Sequence, residues 1–76
     1  MMLTIEYDPD IYSHKVLEQA IAAYQELARI ELIEQKGIYY CKIINTVYDL
    51  EETCNEFDNF VLQLAITTHG DNHGIY

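Results

Sequence analysis

His69, Asp71 and His73 bring two imidazoles and a carboxylate into one short stretch, a set that can converge on a transition metal. They stand, however, in the polar, breaker-rich run Gly70-Asp71-Asn72-His73-Gly74, and a structural zinc site wants four ligands held by folded elements. The run therefore reads as a surface tail over 69–76, with neither a metal nor a cofactor expected. His14 has no acid or nucleophile beside it in sequence and reads as an exposed polar residue. Cys41 and Cys54, the only cysteines, lie in apolar contexts and read as reduced, buried thiols. The chain shows no Gly-rich phosphate loop, no cysteine pair at ligand spacing and no nucleophile elbow. Triads assemble in space, so chain order alone does not exclude one, but so small a domain rarely holds both a core and a deep pocket. A non-catalytic protein is the expectation.

Carboxylates dominate the remaining chemistry. Thirteen acidic residues against four basic ones give the 76-residue chain a formal charge of −9. That charge repels phosphates and anionic headgroups, so neither direct nucleic-acid binding nor membrane binding is expected. A basic partner surface suits it, since opposite potentials speed encounter. Excess carboxylates also serve solubility alone. Asp49, Glu51, Glu52, Glu56 and Asp58 crowd one segment, which reads plainly as a solvated helix surface and functionally as a candidate docking patch. The seven tyrosines are too many for one small core, so some are expected either at an interface, where an aromatic body with a polar tip is useful, or scattered over the surface. No apolar stretch is long enough to span a bilayer, and Met1-Met2-Leu3-Thr4-Ile5 soon reaches Glu6 and Asp8, unlike a signal peptide. A cytoplasmic location is expected.

Five elements must position these groups. Leu3, Ile5 and Tyr7 alternate with Thr4 and Glu6, the period of a half-buried strand, and Asp8-Pro9-Asp10 ends it in a turn. Ser13 is placed to cap a helix, with Tyr12 as a staple onto Leu17. Leu17, Ala20, Ile21, Tyr24, Leu27 and Ala28 supply the helix's apolar stripe. From about Ala28 the period becomes two, Gln35-Lys36-Gly37 forms a tight turn, and Ile38 to Ile44 makes the second arm of a hairpin. Neither face of that arm is strongly polar. Asp49 with Glu52 opens a last helix, whose stripe is Leu50, Cys54, Phe57, Val61, Leu64 and Ala65 and which should stop near Thr67 to His69.

The order β-α-β-β-α predicts a single α+β domain over 1–68, a two-layer sandwich with both helices on one face of a three-stranded sheet. Crossover through the first helix gives a truncated ferredoxin-like arrangement that lacks its last strand, with strand one expected parallel to strand three. Strand one is then an open edge, which must be blunted, paired with a second copy or offered to an extended peptide. Thr4 and Glu6 protect it only modestly.

The run Leu50 to Leu64 resembles the last helix of the HxsD family of the His-Xaa-Ser systems. Ile11-Tyr12-Ser13 matches that family's Ile-Tyr-Ser-like helix start, and Asn55-Glu56-Phe57 matches its Asn-Glu-hydrophobic signature. The resemblance spans roughly residues 3 to 66. The family's helix usually continues into a basic Leu-Arg-Glu-like end, whereas Gln63-Leu64-Ala65-Ile66 stands here, so a contact made by that basic end is not implied. The resemblance implies an accessory role beside radical SAM proteins that modify a peptide, with no iron-sulfur cluster on this chain.

Two functional readings follow. In the first, an accessory protein holds a peptide along the strand edge, with Thr4, Glu6, Tyr40, Asp49, Glu52 and Glu56 as partner-binding residues and a homodimer through a strand edge as a further use. In the second, an acidic inhibitor or immunity-like protein covers a basic surface or mimics nucleic-acid charge.

Overall fold

The computed structural model describes the backbone of residues 2–73 and side chains over 2–68. Strand β1 (Leu3–Tyr7) leads to helix α1 (His14–Ala23), the strands β2 (Ala28–Gln35) and β3 (Ile38–Thr46), and helix α2 (Leu50–His73). The sheet order is β1-β3-β2. The expected α+β sandwich is present: Tyr7, Cys41 and Ile43 of the sheet and Val16, Leu17, Ala20, Cys54, Phe57, Val61 and Ala65 of the helices share one buried core. Both helices therefore lie on the same face.

Strand direction differs from expectation. β3 is antiparallel to β1 as well as to β2, with Leu3 opposite Ile43 and Tyr7 opposite Tyr39. The hairpin makes β2 and β3 antiparallel, and the crossover from β1 skips one position into which β3 inserts. The parallel pair is then β1 and β2, on either side of β3.

Local chemistry sets the element ends. Asp8 closes the first turn: its carbonyl accepts from the Ile11 and Tyr12 amides at 3.0 and 2.9 Å, and its carboxylate accepts from the Asp10 amide at 2.9 Å. Ser13 caps α1 by accepting from the Val16 amide at 3.1 Å. The helix ends at Ala23, earlier than the stripe suggests, and Leu27 is exposed. The amides of Leu27 and Ala28 turn back onto the Tyr24 carbonyl, because pairing Ala28 with Thr46 in the sheet competes successfully with another helical turn. Between β2 and β3, Lys36 (φ 53°) and Gly37 (φ 76°) both occupy the left-handed region, the requirement of a two-residue hairpin turn whose twist matches its strands. Asp49 accepts from the Glu52 amide at 3.1 Å and opens α2. This helix runs past the expected stop to His73, so the tail expected over 69–76 is helical through 73 and residues 74–76 lie outside the described part. Gly70 costs a helix interior only about 1 kcal/mol relative to alanine and does not end it. No described helix is long and apolar enough to cross a membrane.

Candidate partner-binding edge

β1 pairs with β3 on one side, and among the described residues no strand pairs with its other side. The pleat sends Leu3, Ile5 and Tyr7 towards the helices and Thr4 and Glu6 to the outer face, where Thr4 stands opposite Lys42 and Glu6 opposite Tyr40. Thr4, Glu6 and Tyr40 thus share one surface.

On the helical side, α2 runs beside β1. At the start of the strand, Met2 and Leu3 join Asp49, Leu50 and Glu51 around a shallow cavity of about 210 Å³. At its end the Tyr7 hydroxyl donates to Asp58 Oδ1 at 2.8 Å. Four strand steps of about 3.3 Å match seven helical steps of about 1.5 Å to within a few ångströms, so Glu51 and Asp58 bracket the length of β1. Glu6 lies on the opposite face and Asp8 just beyond the strand. The edge of β1 therefore has acidic side chains on both faces of the sheet, Glu6 on the outer one and Glu51 and Asp58 on the helical one.

Tyr7 ties this edge to the core. It is buried, packs edge-on against Tyr12 with ring centroids 5.0 Å apart, and spends its polar tip on Asp58. Burial first, and then the hydrogen bond and charge of Asp58, push its phenol well above the ordinary value, so Tyr7 remains a donor. Such a raised group stabilises the fold fully below its unfolded value near 10 and loses that contribution as pH climbs beyond it. Tyr7→Phe is expected to cost about 1 kcal/mol at neutral pH. The gap should narrow above about pH 10 as the unfolded wild-type phenol ionises, which urea titrations at two pH values would measure.

Asp49, Glu52 and Glu56 are placed differently. Asp49 is engaged as the helix cap, though it also borders the cavity at Leu3. Glu56 acts on Tyr24, whose phenol is raised by burial and then by the Glu56 charge. Tyr24 packs on Phe57 and Phe60 with centroids 5.5 and 5.7 Å apart, so Glu56, with Glu52 one turn before it, serves the α1 side of α2. The carboxylates of α2 therefore divide into an edge set, Glu51 and Asp58, and an α1-side set, Glu52 and Glu56. Glu51 and Asp58 belong to the acidic patch expected on this helix, but not to the six residues assigned to partner binding from the sequence. Two signals mark them: their i, i+7 spacing, and the need of a strand tyrosine turned inward to find an acceptor.

The remaining candidate groups lie away from this edge or outside the described side chains. His14 has a partner after all, since Nδ1 lies 3.2 Å from Glu18 Oε1 at i+4 and the ring meets Tyr39 edge-on at 5.7 Å. Burial pushes the Cys41 thiol up to about 12, and Cys54 is raised by burial and then by the Glu51 charge, so both stay protonated at neutral pH. The side chains of His69, Asp71 and His73 lie outside the described residues. Of the tyrosines, Tyr7 is buried, Tyr12, Tyr24, Tyr39 and Tyr40 are half-buried, and Tyr48 is exposed.

Together these features define a small α+β domain with an open strand edge beside an acidic helix flank. Set against known proteins, the chain matches no family model, no curated protein and no solved structure.

Proposed function

We propose that the chain is a non-catalytic accessory protein that captures an extended, basic segment of a partner peptide or protein by adding it as a strand to β1. The observation that carries this reading is the free edge of β1 lying between Glu6 on one face and Glu51 and Asp58 on the other. Backbone hydrogen bonds along such an edge supply affinity whatever the ligand's sequence, and alternate side chains supply selectivity. Here alternate ligand positions meet carboxylates above and below the sheet, so Lys or Arg is favoured on both faces. The resemblance to the HxsD family adds a setting, in which the segment is a precursor peptide presented to a radical SAM enzyme.

The test is a titration of a labelled extended peptide rich in Lys and Val, followed by fluorescence anisotropy in roughly 50 mM salt, where exposed charges are weakly screened. Amide hydrogen exchange of the complex then locates the contact. Binding with new protection at Leu3–Tyr7 supports strand capture. Binding without protection there points to an acidic inhibitor that works through its charged skin. No binding of the basic peptide removes the proposal.

A further inference from the structure

The opposite edge of the sheet carries a different pattern. Among the described residues β2 pairs only with β3, so its outer rim is also unpartnered. The irregularity in this ladder falls between Arg29, opposite Asn45, and Ile30, opposite Ile43, and the extra residue is Ile44 of β3. β2 itself therefore keeps a regular alternation. Ile30 and Leu32 face the helices, and with Ile21 of α1 they line an open cleft of about 420 Å³ whose rim holds His14 and Glu18. Arg29, Glu31 and Ile33 face outwards, with the Arg29 guanidinium 3.3 Å from the Glu31 carboxylate.

We propose that β2 pairs with β2 of a second copy, antiparallel about a two-fold axis through Ile30. Opposed residues of an antiparallel pair share a face, so with the helices of both copies on the same side the two residue numbers sum to an even value. Centring on Ile30 sets Arg29 against Glu31 of the second copy, twice over by symmetry. It also sets Ala28 against Leu32, Ile30 against itself, and the exposed Leu27, whose carbonyl accepts from the Val47 amide and so prolongs the ladder, against Ile33. Every opposed pair from Leu27 to Ile33 is then either apolar or opposite in charge, and Glu34 comes opposite Glu26 only beyond the start of the strand. Centring one residue further on sets Glu31 directly against Glu31, an unfavourable like-charge pair, and centring on Leu32 sets Glu31 against Ile33 and Ile30 against Glu34.

Charge identifies the occupant. The β2 rim carries both signs at a spacing that complements itself, as an isologous interface requires. Two copies meeting at β1 instead bring Glu6, Glu51 and Asp58 of both chains together. Pairing at β2 also closes the cleft of each copy over its half-buried Ile21, Ile30 and Leu32. The product is a continuous six-stranded sheet that leaves both β1 edges free at its ends, five strand spacings or about 24 Å apart.

Sedimentation equilibrium from about 1 μM to about 1 mM at near-physiological salt provides the test. The wild-type 8.9 kDa chain is expected to reach a dimer within that range. Arg29→Glu and Glu31→Arg should each weaken the dimer at least about tenfold, and the double exchange should return it to within a few fold of wild type. The Arg29 side chain is 68 % exposed and that of Glu31 42 %, and neither is part of the core, so circular dichroism should show all variants folded. A wild-type monomer throughout the range, or a double exchange as weak as either single change, overturns the proposal. Neither readout involves a ligand at β1, so the strand-capture reading stands or falls separately.

Discussion

Phe57→Ala is expected to remove about a quarter or more of the protein's stability and to lower its thermal midpoint by more than about 12 °C. Phe57 is fully buried at the point where α1, α2 and the sheet meet, and its ring is packed edge-on against Tyr24 at 5.5 Å. Truncating a buried phenylalanine costs about 3–5 kcal/mol, the sum of lost transfer energy and the cavity left behind. At roughly 0.05–0.15 kcal/mol per residue, a chain of 76 residues holds about 4–11 kcal/mol in total. The loss is therefore comparable with the whole at the lower end of that range. Leu62→Ala on the same helix is the matched control, since Leu62 is 41 % exposed and its truncation should shift stability by under about 1 kcal/mol. Urea denaturation of the two variants side by side measures the contrast. Equal losses would mean that the core is not centred on Phe57.

That contrast between Phe57 and Leu62 was legible in the sequence, because the stripe from Leu50 to Ala65 includes the first and omits the second. Helical period fixes which side of α2 can be buried whatever it packs against. The end of α1 was not legible. Tyr24, Leu27 and Ala28 continue the helical stripe, and no glycine or proline marks the boundary. What ends the helix is the pairing of Ala28 with Thr46, a contact across the hairpin that a local pattern does not contain. The direction of β1 was lost in the same way, since it depends on which strand enters the gap left by the crossover. Lys36 is a further instance. Gly37 announced a turn, but that both central residues take positive φ follows from the strand twist and not from the character of lysine.

The candidate edge was half visible. Alternation in β1 put Thr4 and Glu6 on one face, and the pairing with β3 adds Tyr40 to it. The acids of α2 looked like one cluster because they are close in sequence. A helix, however, distributes consecutive residues around its axis at 3.6 per turn. Glu51 and Asp58 fall towards β1, and Glu52 and Glu56 towards Tyr24. Composition counts charge without assigning it to a side, so a net −9 could not show that the edge has acids on both faces.

This division permits a test in which the total charge change is held constant. Replacing Glu6 and Glu51 together by lysine is expected to weaken binding of the basic peptide by about 100-fold. Replacing Glu52 and Glu56 by lysine alters net charge by the same amount, yet should cost under about threefold at about 0.15 M salt, because Glu56 acts on Tyr24 on the α1 side of the helix and exposed charges that do not border the strand are screened there. A unit charge pair at 4 Å is worth about 1 kcal/mol in water, and reversal replaces each attraction by a repulsion, so two reversals supply about 4 kcal/mol before salt reduces them. All four side chains are solvent-exposed, and thermal melts of both double variants should stay near wild type. Anisotropy titrations across a salt series provide the measurement. The dependence on salt should flatten in the Glu6 and Glu51 variant and persist in the other. If both variants lose affinity equally, the partner responds to the charge of the whole molecule and not to the acids beside β1. Strand capture would then give way to the inhibitor reading, in which a basic surface is covered by an acidic skin without backbone pairing.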